Sequence, residues 1–349
     1  MGRPQISVVM PTYNKAAWLR RTLSAWRHQR FEDYEIVLVD DGSTDGTRDV
    51  VAEFETTLPI RFLSGEHRGR SAARNWAIAA ARGATIVFTD DDRIVSPSFL
   101  SEHVRAGAHH DVVIGWQRGV VVELRKDVTL SPRLALELGR LRPGWERAAA
   151  AAGTLELLSA EDVSEGMSGV EALAFDDDWF CRFVEPAVAD YGNDISACGL
   201  CWMFGTTGNM SVSAALLAQV GGFDESLTGW GLEDTELHYR LVGAGASTYV
   251  CREAVNYHQN HPRNEGELMH EWVQNAVRVY EKHTTLEMAL YLRLVLSKLS
   301  LREMDRIIQE ARRLPGSALL ANFEALQRSH VLQLAQARRD THLWAGSRS

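Results

Sequence analysis

The stretch IVFTDDDRI, residues 86–94, joins a short apolar run to three consecutive aspartates. The run Ile86, Val87, Phe88 is β-branched or aromatic and has no polar alternation, which is typical of a strand buried on both faces of a parallel sheet. Charged carboxylates do not fit inside such a sheet. We therefore expect the aspartates at the carboxyl end of the strand, where open α/β sheets bind their ligands.

The charge of this triplet has two interpretations. Asp90, Asp91 and Asp92 repel one another, and a divalent metal held by oxygen ligands would relieve that repulsion. A solvated acidic turn is the alternative, and the stretch alone does not distinguish the two.

The first hundred residues alternate between strand and helix patterns. Apolar runs at 6–10, 35–39, 60–63 and 85–89 are separated by helical spacing, as in 16–28 and 71–81. After the aspartates, Ser96 and Pro97 predict an N-cap and a first helical residue. Strands that alternate with helices indicate a parallel sheet built from right-handed crossovers. The pattern predicts an α/β half of the nucleotide-binding type.

Composition limits the class of protein. The chain has 349 residues, 45% of them hydrophobic, and a net charge of -9. This length suits one large α/β domain with an appended piece or two domains, and the charge argues against a nucleic-acid partner. Cys198 and Cys201 form a C-x-x-C pair without a second pair, which favours reduced core thiols over zinc. With no leader pattern and no apolar run of transmembrane length, we expect a cytoplasmic protein without a transmembrane segment.

The loops after the strands exclude two familiar nucleotide sites. The first strand is followed by PTYNK at 11–15, so neither a G-x-G-x-x-G fingerprint nor a Walker A lysine loop is present there. We expect the loops at 11–14, 40–47 and 89–92 to cluster along one edge of the sheet. There Tyr13 could stack on a base and Asp41 could accept its N–H groups.

Five ordered motifs resemble the inverting family 2 glycosyltransferases of the GT-A fold. They are VVMPTYN (8–14), VDDGSTDGT (39–47), GRSAARNWAI (69–78), TDDD (89–92) and GWGLEDTEL (229–237). The resemblance implies a Rossmann-like, mainly parallel sheet flanked by helices, with a helical C-terminal extension. It predicts a GT-A domain over 1–265, divided into a nucleotide-binding half, 1–115, and an acceptor-binding half, 116–265, followed by the extension at 266–349.

The resemblance also implies a donor site with a metal ion. In the family pattern the last aspartate, Asp92, holds Mn²⁺ or Mg²⁺, and Asp90 or Asp91 contacts the ribose or the sugar. A further metal ligand is expected at His258, with His261 as the competitor, although a lone histidine is more often structural. The remaining donor-binding residues implied are Pro11, Thr12, Tyr13, Asp41, Arg70 and Arg74.

Besides a bound donor, glycosyl transfer needs an acceptor hydroxyl that loses its proton. The motif GWGLEDTEL offers the residues for that step. Gly231 lets the backbone approach a substrate, and Trp230 offers an apolar face to a sugar ring, so both are expected to contact the acceptor. By resemblance, Asp234 is the general base and Glu233 orients the acceptor. The alternative is a pair of acids favoured by the dipole at a helix N-terminus.

The predicted activity is therefore metal-dependent transfer of a sugar, with inversion, from a nucleotide diphosphate sugar. UDP is favoured by resemblance, dTDP and GDP stay open, and the acceptor could be a carbohydrate, a lipid-linked sugar, a peptide or a small molecule. A nucleotide-sugar binding protein without catalysis is the alternative.

The basic, amphipathic segment 286–312 would pack on the catalytic domain, join a second subunit or lie on a membrane surface. A second acidic triplet, in FDDDWF at 175–180, is expected to be a loop or helix cap, with contact to the acceptor as the alternative.

Overall fold

The computed structural model describes residues 2–125, 132–141, 143–177, 180–259, 265–296, 300–314 and 318–340. The competing metal ligand His261 and the last residue of the second acidic triplet, Asp178, lie outside the described residues. Within these ranges no helix is both long enough and apolar enough to cross a membrane.

A nine-stranded sheet forms the centre of the molecule. Its order is β3-β2-β1-β4-β10-β6-β11-β5, with β9 paired to β6, and a separate pair is formed by β7 and β8. Strands β1 to β4, β6 and β11 run parallel, whereas β5, β9 and β10 run antiparallel to their neighbours. The strands are β1 Ile6–Thr12, β2 Tyr34–Asp40, β3 Ile60–Ser64, β4 Thr85–Thr89, β5 Arg93–Val95, β6 Val112–Val120, β7 Glu123–Arg125, β8 Thr154–Glu156, β9 Ala174–Asp176, β10 Asn209–Ser213 and β11 Thr248–Gln259.

Helices cover both faces of this sheet. They are α1 Ala16–Trp26, α2 Thr47–Phe54, α3 Arg70–Ala80, α4 Phe99–Gly107, α5 Pro132–Leu141, α6 Trp145–Ala152, α7 Ala160–Glu165, α8 Ser168–Ala172, α9 Glu185–Tyr191, α10 Ala214–Val220, α11 Glu233–Gly243, α12 Glu265–Lys282, α13 Leu286–Leu296, α14 Leu301–Arg313 and α15 Ala318–Asp340. A π-helical turn spans Phe180–Val184 and a 3₁₀ turn spans Cys201–Phe204.

Two hydrophobic clusters, one on each face of the sheet, form the core. Leu19 and Phe99 pack on one face, and α3, α11 and the C-terminal helices pack on the other, where Leu237 and Ile308 are fully buried. Phe88 is fully buried as well, because the parallel sheet is covered on both sides. The predicted class, a mainly parallel GT-A-like sheet flanked by helices with a helical C-terminal part, is confirmed.

Local details differ from the sequence prediction at two places. Helix α4 begins at Phe99 with Ser98 in the N-cap position, so the predicted cap at Ser96 and Pro97 is wrong. The chain first makes a turn in which the Phe99 N–H donates to the carbonyl of Ser96 at 3.0 Å. The segment 286–312 forms two helices, and the side chain of Ser300 accepts from the N–H of Glu303 to begin the second.

The C-x-x-C cysteines are core residues. Cys198 and Cys201 are buried and free of disulfides, as predicted for reduced thiols. Burial raises the pKa of Cys198 to about 12 and that of Cys201 to about 11. The thiolate, which is the reactive and metal-binding form, is therefore scarce at neutral pH.

Candidate active site

The three predicted loops lie together at the carboxyl edge of the sheet. Parallel pairing sets Thr12 level with Asp40, and β4 pairs with β1 on its other side. Asn14 then joins the first two loops, because its side chain accepts from the Thr44 N–H at 2.8 Å and its N–H donates to Ser43 Oγ at 2.9 Å. The clustering expected from the strand order is present.

Tyr13 and Asp41 both contact His67 at this edge of the sheet. The ring of Tyr13 stacks on His67 with centroids 4.2 Å apart and is 44% exposed, so it is accessible to a flat ligand. The Asp41 carboxylate accepts from the N–H groups of Arg68 at 2.7 Å and Gly69 at 2.9 Å, which fixes its orientation. Pro11 is half-buried and Thr12 is buried. His67 was not identified from the sequence.

Cationic side chains surround the aspartate loop. Lys15 Nζ lies 3.1 Å from Asp92 Oδ2, and Arg93 Nε lies 4.0 Å from both Asp90 Oδ2 and Asp92 Oδ1. Asp91 is buried, and burial together with repulsion from Asp92 raises its pKa to about 8. The loop is thus an electrostatically strained acidic site. Lys15 and Arg93 flank the predicted motifs in the sequence, but nothing in the pattern indicated that they would contact it.

The donor set at this loop fits a divalent metal completed by substrate. Strand pairing sets His258 opposite Arg93. As a result, Nε2 of His258 lies 3.6 Å from Asp92 Oδ2. A carboxylate and an imidazole suit Mn²⁺, and Mg²⁺ commonly uses one or two carboxylates together with phosphate oxygens. The one described group of three metal-ligating side chains within 4.8 Å lies elsewhere, at Glu102, Cys251 and Glu253. Diphosphate oxygens and water would therefore have to complete the sphere at Asp92.

Arg74 connects the aspartate loop to the predicted catalytic acids. Its Nη2 donates to Asp90 Oδ1 at 2.9 Å and its Nη1 donates to Glu233 Oε1 at 3.1 Å, and the side chain is only 4% exposed. Arg70 lies beside it, with Nη1 3.6 Å from the same Glu233 oxygen. The two arginines predicted to reach the nucleotide therefore orient Glu233 in this structure. Their contact with the donor stays a prediction.

Asp234 occupies the first turn of α11, directly after a strained backbone. Leu232 has φ +72°, a left-handed conformation that is costly for a branched side chain and concentrates at functional sites. Asp234 is half-buried, and its carboxylate accepts from the Thr235 N–H at 2.8 Å. Burial, followed by the charge of Glu233, raises its pKa to about 7. A carboxylate with this pKa is matched to general base catalysis near neutral pH.

Helix α12 holds the GWG backbone that precedes these acids. Glu271 Oε2 accepts from the Trp230 N–H at 2.8 Å, and Asn275, fully buried, donates to the carbonyl of Gly231 at 2.9 Å. Gly231 has φ +98°, and a Cβ there would lie 2.7 Å from Trp272 Cδ1. These glycine and helix contacts fix the backbone at Trp230 and Gly231, just before Asp234 in the chain. Sequence reasoning missed the helix residues because they belong to no motif.

The fold is that of a GT-A domain, and comparison with known proteins agrees. Residues 7–152 match the family "Glycosyl transferase family 2", and residues 201–261 match "N-terminal domain of galactosyltransferase". Over these residues the chain resembles the family 2 glycosyltransferases.

A similar curated protein is the validoxylamine A glucosyltransferase of Streptomyces hygroscopicus subsp. jinggangensis, 33% identical over 290 residues that cover 81% of this chain and 62% of that protein. The chain spans less than two thirds of the length of the first curated relatives that it matches.

Two solved structures share the fold at low sequence identity. S. aureus TarS 1-349 in complex with UDP-GlcNAc has a TM-score of 0.53 and 16% identity, covering 96% of this chain and 83% of that chain. The mannosyltransferase PcManGT from Pyrobaculum calidifontis in complex with GDP-Man and Mn²⁺ has a TM-score of 0.50 and 17% identity, covering 97% and 88%.

Proposed function

We propose that this protein is an inverting, metal-dependent glycosyltransferase that moves a sugar from a UDP-sugar to an acceptor hydroxyl. The observation that carries the proposal is the buried bridge of Arg74, which joins Asp90 of the acidic loop to Glu233 beside Asp234. Arg74 thereby links the loop proposed to hold the metal and the diphosphate to Glu233, whose neighbour Asp234 has a pKa of about 7. Nucleotide-sugar complexes of structures with the same fold support the donor class.

The donor is held at three points. Tyr13 stacks on the base, Asp41 accepts its N–H groups, and Asp90 and Asp91 face the ribose or the sugar. Asp92 and His258 would hold Mn²⁺ or Mg²⁺, which when bound neutralises the diphosphate charge as a Lewis acid. Lys15, which lies 3.1 Å from Asp92, adds a positive charge to the same side of the site.

Asp234 performs the proton transfer. Its carboxylate takes the proton of the acceptor hydroxyl while the hydroxyl oxygen attacks C1 of the donor sugar. The bond between C1 and the diphosphate oxygen breaks on the opposite side, so the nucleoside diphosphate leaves and the configuration at C1 inverts. Glu233, oriented by Arg74 and Arg70, binds the acceptor, and Trp230 packs against its ring.

For the sugar and the acceptor, the name of the 33% identical relative favours glucose and a small-molecule acceptor. Glucose transfer to a small hydroxylated molecule is therefore our first choice. Carbohydrate, lipid-linked and peptide acceptors come after it.

The variant Asp234→Asn tests the assignment. With Mn²⁺ present, we expect UDP to bind the variant with the same affinity in calorimetry, while UDP release from UDP-glucose with an acceptor falls ~10²–10⁴-fold. Asp224→Asn is the matched control, because Asp224 is a nearby carboxylate that pairs with Lys282 at 2.8 Å. Equal losses of binding and turnover would remove Asp234 from the role of base. A wild-type protein that binds UDP-glucose but never turns it over would be a binding protein instead.

A further inference from the structure

A cavity of about 260 Å³ opens beside β6, away from the loops that hold the donor residues. Trp116 of β6 forms its floor, and Trp116 packs against the hydrophobic cluster that also contains α11. The pairing of β11 with β6 is interrupted between Cys251 and Val255, and this bulge contributes Arg252 to the wall. Bulges and π-helical turns both concentrate at functional sites, and the Phe180–Val184 turn supplies part of the wall.

The floor of the cavity is aromatic and fixed in position. Trp116 meets the buried ring of Phe180 at 5.3 Å and 75°, an edge-to-face contact. The Arg252 guanidinium carbon lies 4.4 Å from the Trp116 ring centroid. An aromatic ring with a planar cation held over its face offers apolar surface and hydrogen-bond donors to the same ligand.

Carboxylates form the rim above this floor. Asp176 pairs with Arg118 at 3.1 Å, and Glu185 Oε1 lies 4.0 Å from Arg252 Nη1. Asp177 also lines the cavity, so the walls carry three carboxylates and one guanidinium. Such a rim accepts hydrogen bonds from hydroxyl or ammonium groups and repels an anion.

Strand register locates the cavity relative to the reaction centre. Both β4 and β6 pair with β10, and Met210 is the partner of Phe88 on one side and of Ile114 on the other. Two residues further along each strand, Trp116 is level with Asp90. The strands are two sheet spacings apart, roughly 10 Å. Trp116 packs with the cluster that contains α11, and Asp90 contacts Arg74, which reaches Glu233 of α11, so both lie toward the same face. An acceptor the size of a disaccharide can span this distance.

We propose that the cavity binds a second ring of the acceptor, a polyhydroxylated six-membered ring that is neutral or carries an amine. The identification of the bound ring as part of an acceptor rests on the proposed function. The ability of the cavity to bind a sugar ring does not depend on it. The volume is below the roughly 300–1,000 Å³ of pockets for drug-sized ligands, which suits one ring rather than a long chain. A nucleotide, with its phosphate charges, does not fit the acidic rim.

The direct test is saturation-transfer NMR on the full chain with three matched sugars: glucosamine, glucose and glucuronate. We expect signals from glucosamine and glucose, and a weaker signal from glucuronate. Trp116→Leu should weaken glucosamine binding roughly tenfold, as expected for the loss of a good aromatic contact.

A second variant, Glu185→Gln, tests the cavity independently in case Trp116→Leu does not fold. Glu185→Gln changes an exposed rim carboxylate and should selectively weaken glucosamine relative to glucose. Glu253→Gln is the matched control, since Glu253 lies in the same bulge but faces Arg105 at 3.4 Å, and it should change nothing. UDP affinity in the presence of Mn²⁺ should be equal in all variants.

The outcomes separate the two proposals. No sugar signal with wild-type protein, or signals that Trp116→Leu and Glu185→Gln leave unchanged, would overturn the cavity as an acceptor subsite. Sugar binding that depends on Trp116, in a protein that does not bind UDP, would retain the cavity and refute the proposed donor chemistry.

Discussion

The pH dependence of transfer follows directly from the surroundings of Asp234. Burial and the neighbouring Glu233 raise the pKa of this aspartate from 3.8 to about 7. Because only the ionised carboxylate accepts a proton, kcat/KM measured at saturating Mn²⁺ should climb with pH and level off above the pKa. At pH 5 the rate constant should be roughly 100-fold below its plateau, whereas a base with an ordinary aspartate pKa would lose less than roughly a tenth.

Changing the neighbour should move this profile in a known direction. Glu233→Gln removes a negative charge that disfavours ionisation of Asp234, so the pKa falls and the inflection moves to lower pH. In the control Asp224→Asn the inflection should stay in place. A flat wild-type profile between pH 5 and 8, or an inflection that Glu233→Gln leaves unmoved, would refute this account of the base.

Three further substitutions test the contacts that hold the site. Glu271→Ala leaves the Trp230 N–H without its acceptor, at a cost of about 1–3 kcal/mol. We therefore expect kcat to fall roughly 5- to 150-fold while UDP affinity by calorimetry stays constant. Equal losses of kcat and UDP affinity would contradict this role of Glu271. Gly231→Ala places a Cβ 2.7 Å from Trp272 Cδ1 at a left-handed φ, and steady-state assays should find it nearly inactive; wild-type kinetics would contradict the packing. Glu236 is a buried carboxylate that Arg240, Lys282 and His283 all contact. Glu236→Gln removes its charge, so urea unfolding should show that the free energy of unfolding falls by about 3–5 kcal/mol. A fall of under about 1 kcal/mol would refute this.

Features encoded locally were predictable from the sequence. The run Ile86, Val87, Phe88 is buried because its apolar pattern suits only a strand covered on both faces, and the aspartates follow at its carboxyl end. The clustering of the loops follows from parallel pairing alone. In contrast, the start of α14 depends on the side chain of Ser300, and the spacing of apolar residues did not reveal it.

Contacts between distant segments were not predictable in the same way. Arg74 meets Glu233 across 159 positions, and an isolated arginine does not specify which carboxylate it will contact. His258 approaches Asp92 because β5 pairs antiparallel with β11, a pairing that no local pattern indicates. Glu271 contacts the GWG loop through the docking of a whole helix. Such contacts are decided by packing, so single-sequence reasoning reached only those that the family resemblance implied.

Calorimetric titration of UDP into the protein, with and without Mn²⁺, tests the central claim most directly. We expect tight binding only with the metal, and loss of that metal dependence in Asp92→Asn. Binding that is indifferent to both Mn²⁺ and Asp92 would contradict it and return the three aspartates to the role of an acidic turn.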